Sequence, residues 1–179
     1  MAYPYTFPNI TPKSIEFMAK STVAKFTSPF TKRAQVVNYN SGQYWELNLQ
    51  FPPLYGSNAR VLSGFANSLQ GQYGTFYFTL PPDMRISGSV TFTVAGNGNE
   101  ITVTSGTAQP GLFGASLGSP RRLVQFTTAT SIFPALPSGS TVTLHPSTGS
   151  LFRLGTNDVA FNVNEAREYG VVLPVVEAI

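Results

Sequence analysis

NSGQYWELNLQFPPLYGSNARVLSGFANSLQGQYGTFYFTLP, residues 40–81, holds two strands, a helix and the stops between them. In its first part Trp45, Leu47, Leu49 and Phe51 recur at every second position, which sets them on one face of a pleated strand. Pro52-Pro53 ends that strand, because proline cannot donate to a ladder. Between Ser57, read as N-cap, and Gly71, read as C′, the residues Val61, Leu62, Phe65, Ala66 and Leu69 recur at spacings of three and four. That periodicity predicts an amphipathic helix over 57–70 with one apolar stripe to bury, and Gly64 as its point of close approach. Tyr73 to Leu80 is an aromatic strand stopped by Pro81-Pro82. Strand, one-striped helix and strand together call for a sheet with a helix laid on one face.

Upstream, Ala34, Val36, Val37 and Tyr39 lead to Asn40-Ser41-Gly42, which reads as the turn of a hairpin with 44–51. Segment 14–26 alternates Ile15, Phe17 and Ala19 and is expected to be a half-buried strand. Segment 1–13 is an extended arm in which Pro4, Pro8 and Pro12 forbid helix. Its aromatics need a surface, either their own domain or a neighbouring subunit. Downstream, residues 86–146 turn to Ser, Thr, Gly and Val, with Glu100, Arg121, Arg122 and His145 as the only ionisable groups. Val90, Phe92 and Val94, the turn AGNGNE, and Ile101 and Val103 make a second hairpin. Residues 105–120 read as a Gly/Pro loop, with further β structure around Leu123, Phe126 and Ile132 and around Val142 and Leu144. The stretches 151–154, 159–163 and 169–177 are strand-like again and are expected to return to the first sheet. The reading is therefore mainly β, a sandwich or barrel of 1–83 with 150–179 carrying one α-helix, and a small β-barrel or sandwich inserted at 84–149.

The chain has 179 residues, 14 Pro, 16 Gly, one His and no Cys, enough length for a substantial core. The missing cysteines exclude disulfides, Cys-based zinc sites and thiolate nucleophiles, and one histidine excludes multi-histidine metal centres. At 11% charged residues and a net charge of +3 the chain cannot present the long basic face that neutralises phosphates, so specific nucleic-acid binding is not expected. Charge is unevenly spread. Lys13, Lys20, Lys25, Lys32, Arg33 and Arg60 against Glu16 and Glu46 give the first third +4, while Arg153 and Arg167 against Asp158, Glu165, Glu168 and Glu177 give the end −2. Complementary ends suit head-to-tail contacts that close into a ring. MAYPYTFPNITPKS lacks the pattern of a signal peptide, and no run approaches a membrane helix, so synthesis in the cytoplasm and no membrane partner are expected.

The sequence holds no G-x-S-x-G, no phosphate loop and no H-E-x-x-H. His145 has no acid or hydroxyl arranged beside it in the sequence and reads as structural. Glu46, Asp83 or Glu100 could form a glycosidase pair in space, but nothing in the sequence selects one. Tyr44-Trp45 and Tyr73 to Phe78 could stack sugars or bases, although their period of two fits core packing better. Polar-tipped Tyr73 and Tyr77 could instead face a subunit boundary. No catalytic residue, cofactor or metal is expected.

In order and spacing, several of these weak motifs resemble a set of small structural proteins of tailed bacteriophages. Trp45 in a strand, Pro52-Pro53-Leu54, a helix carrying Phe65, and the pattern Leu69, Gly71, Gly74, Thr75, Phe76 follow one another as they do there. The end is similar as well, with Phe152-Arg153-Leu154, Tyr169-Gly170 and Glu177-Ala178. The likeness covers about 14–83 and 134–179. It implies a tail-tube-like domain and a virion protein akin to distal tail proteins, which form a ring, here expected to be hexameric, between the tail tube and the tail tip. Its partners would be further copies of itself, the tail tube protein, and the baseplate hub or tail tip protein.

The expected function is assembly, through sheet edges and the N-terminal arm, with basic residues of the first third meeting acidic residues of the end. The contacts expected are Tyr3, Tyr5, Phe7, Lys32, Arg33, Arg153, Glu165 and Glu168. Two other classes remain open: a carbohydrate-binding module using the insert's loops or Tyr44 and Trp45, and a hydrolase of cell-wall polymer built on Glu46 or Asp83.

Overall fold

The computed structural model describes residues 3–163 and 169–179, with the backbone alone described at 38–41 and 162–163. The protein is mainly β with a single α-helix among the described residues. Its strands are β1 (Tyr5–Thr6), β2 (Ser14–Thr27), β3 (Ala34–Gln50), β4 (Thr75–Phe78), β5 (Val90–Ala95), β6 (Glu100–Ser105), β7 (Phe113–Ser116), β8 (Leu123–Thr128), β9 (Ser131–Phe133), β10 (Thr141–His145), β11 (Ser150–Leu154), β12 (Phe161–Val163) and β13 (Tyr169–Glu177), and α1 spans Gly56–Ser68.

One sheet runs in the order β1-β4-β11-β13-β3-β2, with β12 beside β13, and all pairs except β1 with β4 are antiparallel. The final third thus returns to the sheet begun by the first. The period-two face of β3 drives this. Leu47 and Leu49 lie opposite Val175 and Leu173 of β13, and all four are fully or almost fully buried. Each such side chain contributes roughly 1.5–3 kcal/mol of burial. The helix closes the core with Ala59, Leu62, Ala66 and Leu69. Val61, expected in the stripe, faces solvent, because the buried face follows the small residues Ala59 and Ala66.

Other local expectations are corrected. The N-cap is Tyr55, without a side-chain cap bond, and Ser57 lies inside the helix. Gly64 is open to solvent, with no atom within 4 Å of an added Cβ. The close approach belongs to Gly74, where an added Cβ would sit 2.5 Å from the Leu69 carbonyl oxygen. Asn40-Ser41-Gly42 is not a turn. β3 runs through it, and the turn lies at 28–33, where Lys32 takes the left-handed conformation at φ 57°. Lys20 faces Tyr44 but Thr22 faces Tyr39, so the turn-forming residues are absorbed as an irregularity opposite Ser21.

Strands β10-β5-β6-β9-β8-β7 close into a six-stranded barrel around Phe92, Phe126, Ile132 and Leu144. The segment expected to be loop at 105–120 supplies one stave, β7, buried at all four positions. Gly114 admits it, since a Cβ there would lie 2.8 Å from both Leu144 Cβ and Ile86 Cδ1.

The barrel is joined to the sheet by a buried polar knot. Glu177 of β13 accepts the backbone N–H groups of Leu123 at 2.8 Å and Trp45 at 3.2 Å, with Arg122 Nε 3.5 Å away. Arg122 also donates through Nη2 to the Gln43 carbonyl at 2.6 Å and through Nη1 to that of Ala135 at 3.3 Å. Gln43 Oε1 accepts the Ala135 N–H at 2.8 Å. Trp45 packs edge-on against Phe133 and Phe113 across the same junction, with ring centroids 4.9 and 5.4 Å away.

Candidate functional site

β2 and β3 outrun the sheet that anchors them. β13 covers β3 only from Glu46 to Gln50, whereas β2 and β3 stay paired out to Thr27 and Ala34. The outer half is a two-stranded ribbon, an architecture that is marginal by itself in water. Its tip is well formed: Ser28 N–H donates to the Arg33 carbonyl at 2.9 Å, Lys32 N–H to the Ser28 carbonyl at 3.0 Å, and Thr31 N–H to Ser28 Oγ at 3.2 Å.

This arm bears Val23, Phe26, Phe30 and Val36, which are 50%, 60%, 94% and 61% exposed. Lys25 and Val36 face each other across the ribbon, as do Phe26 and Gln35. Neighbours alternate in facing, so Val23 and Val36 share one side and Phe26 takes the other. Lys25, Lys32 and Arg33 add charge, and no acidic residue occurs between Glu16 and Glu46. Lys20, at the root, is paired with Glu46 at 3.0 Å, which holds its ammonium above the usual value. Beyond that root, no ion pair occurs on the arm among the described residues. An apolar surface ringed by uncompensated cations is the chemistry of a contact site.

The edges are also open. β2 is a terminal strand of the sheet along its 14 residues, an unpaired row of main-chain donors and acceptors. The opposite edge carries only the two residues of β1.

The contacts expected from sequence fall in separate places. Lys32 and Arg33 come together, exposed, at the arm's tip. Tyr3, Tyr5 and Phe7 lie on the chain's own domain at the far edge. Phe7 sits among Phe51, Phe65, Phe76 and Phe78 at ring-centroid distances of 5.1–6.1 Å, and its N–H donates to the Tyr77 carbonyl at 3.1 Å. Tyr3 donates its hydroxyl to the Ser68 carbonyl at 3.3 Å, and burial with Tyr5 and Tyr73 beside it raises its phenol above the usual value. Arg153 is half-buried in β11, with Thr75 and Val176 as cross-strand neighbours. Glu165 and Glu168 lie outside the described residues. Of the arm's apolar residues the sequence reading names Val36 alone, as part of a strand, and none as a contact; the available signal is a run from Phe17 to Trp45 with four cations and no acid.

The groups weighed for other chemistry are dispersed. Trp45 is 5% exposed, so its ring cannot serve as a sugar platform. His145 Nδ1 lies 3.0 Å from Ser89 Oγ at an exposed position. Glu46 is engaged by Lys20, Asp83 is exposed in a short helical turn, and Glu100 opens β6. Among the described residues no three of His, Cys, Asp and Glu converge on a point, and no helix is long and apolar enough to cross a membrane. No protein-family model matches the chain, and no curated protein sequence matches it.

Proposed function

We propose that this protein is a self-assembling structural subunit of a bacteriophage tail, forming a ring that connects the tail tube to the baseplate or tail tip. The observation that carries the assembly reading is the arm: Phe26, Phe30, Val23 and Val36 stand in solvent on a two-stranded ribbon that is marginal by itself. A second copy would bury them, and the open edge of β2 offers main-chain pairing in the same contact. The place in a tail rests on the likeness of Trp45, Pro52-Pro53-Leu54, Leu69, Gly71, Gly74-Thr75-Phe76 and the closing motifs to phage tail proteins. Further partners on this reading are the tail tube protein and the hub or tip protein, and the protein resides in the virion.

Light scattering and negative-stain imaging of the purified protein test it. Annular particles of several copies are expected, and capture of purified tail tube protein by those particles. A strictly monomeric protein at all concentrations would overturn the reading.

A further inference from the structure

The arm leaves the sheet at its β2 edge, and β1 forms the opposite edge. What stands exposed at that far edge is aromatic. Tyr73, in the short helical turn 71–73 ahead of β4, is 76% exposed. Tyr3 meets it edge-on at 5.7 Å, and Tyr5 lies 5.0 Å from Tyr3. Beside Tyr73, the Gln72 N–H donates to Asn157 Oδ1 at 3.2 Å and Gln72 Nε2 to the Gly155 carbonyl at 2.6 Å. These bonds set the loop 155–158 against the tyrosines. Asp158 in that loop is exposed and has no ion pair among the described residues.

The arm's tip is the counterpart of this edge. Phe30 is 94% exposed at the end of the ribbon, and Lys32 and Arg33 follow it in solvent. At that exposure Phe30 touches almost nothing of its own chain, so whatever covers it comes from outside. Charge decides how two copies meet. Tip against tip would set Lys32 and Arg33 against the same cations, and tyrosine edge against tyrosine edge would oppose two Asp158 carboxylates. Tip against tyrosine edge pairs opposite charges and lays one exposed ring against others. Each copy carries one of each surface, at opposite edges of one sheet, so the contact repeats head to tail.

We propose, resting on the assembly reading above, that the arm tip of one copy docks on the tyrosine edge of the next. Phe30 packs against Tyr73 beside Tyr3, and Lys32 and Arg33 reach Asp158. Either cation is also attracted to the face of a tyrosine ring. A contact made by one ribbon tip is small. Closing a ring, in which every copy gives one arm and receives one, supplies the avidity that a single contact lacks.

The chain has no cysteine, so introduced ones report the contact without interference. Phe30→Cys and Tyr73→Cys, both at exposed positions, are mixed under mild oxidation and resolved by mass. We expect a covalent dimer holding one of each, no crosslink within either variant alone, and a ladder of crosslinked copies in the double variant. A charge swap gives a second reading. Asp158→Lys should weaken association at low salt by up to about fivefold per contact, and adding Lys32→Glu with Arg33→Glu in the same chain should recover most of that loss. If either cysteine variant melts well below the wild type, the charge swap decides alone: recovery supports the contact and its absence overturns it. Wild-type particles that assemble while the well-folded cysteine pair fails to crosslink would overturn this contact and leave the ring standing. A crosslink within Phe30→Cys alone would also overturn it, in favour of tip-to-tip pairing. A monomeric wild type would overturn both.

Discussion

Glu177, near the end of the sheet's central strand β13, accepts the backbone N–H of Leu123, the first residue of barrel strand β8, at 2.8 Å. Fifty-four positions separate them, and this contact is part of what makes sheet and barrel one body. Because the carboxylate also takes the Trp45 N–H and faces Arg122, removing it strands two backbone donors and leaves the Arg122 guanidinium without its counter-charge. Breaking a buried pair typically costs about 3–5 kcal/mol. Glu177→Ala is therefore expected to lose that much in urea unfolding, followed by the fluorescence of Trp45, the only tryptophan. The double variant Arg122→Met, Glu177→Leu should cost less than the sum of the single changes, since no charge is left buried.

The same carboxyl predicts a pH dependence. Burial raises the Glu177 carboxyl above its usual value, outweighing the opposing pull of Arg122 and the two backbone N–H donors. A raised carboxyl holds its proton longer in the folded state than in the unfolded chain. Its contribution is fully present below the unfolded value of 4.5 and is lost as pH rises through the folded value. Thermal melts from mildly acidic to neutral pH should show wild-type stability falling relative to Glu177→Gln over that window. A difference between the two proteins that does not change with pH would count against it.

Two glycines make a paired test of close packing. Gly74 has an ordinary φ of −77°, so strain is not the issue; an added Cβ would meet the Leu69 carbonyl oxygen at 2.5 Å and the Tyr3 ring at 2.7 Å. Gly74→Ala should destabilise by about 1–3 kcal/mol, the usual cost of overpacking. Gly64, inside the helix with open space around it, should respond in the opposite sense. Gly64→Ala is expected to raise stability by about 0.5–1 kcal/mol through helix propensity. Equal effects in chemical denaturation would refute the assignment of the close approach to Gly74.

These tests mark where sequence and structure part. The faces of β3 and of the β5–β6 hairpin were legible because alternation leaves one arrangement that buries Trp45, Leu47 and Leu49 or Phe92 and Val94. The helix was legible in extent, and its buried face at Leu62, Phe65, Ala66 and Leu69; only Val61 departs, because packing against the sheet favoured the smaller Ala59. Asn40-Ser41-Gly42 misled for a different reason. Turn chemistry is local, whereas the pairing of β2 with β3 on both sides of it is long-range. Nothing local marks Glu177 either, since its partners Leu123 and Arg122 lie in another unit. The arm's alternation reads like that of any half-buried strand, and no pattern along the chain says that a strand outruns its sheet.

That overhang yields the prediction closest to function. Phe26 and Phe30 contribute nothing to the chain's own core, so Phe26→Ser with Phe30→Ser should leave the melting temperature nearly unchanged while lowering the assembled mass. Charge reversal separates the electrostatic share. Lys32 and Arg33 lie at the tip without an acidic partner among the described residues, so Lys32→Glu with Arg33→Glu should slow and weaken assembly at low salt. The wild-type advantage should shrink as ionic strength rises, because exposed charges are screened over about 8 Å at physiological salt. Light scattering across a salt series, with melting curves on the same samples, reads both effects. Unchanged particle mass in the serine pair would remove the arm from the interface, and salt-independent assembly would leave its cations without a role there.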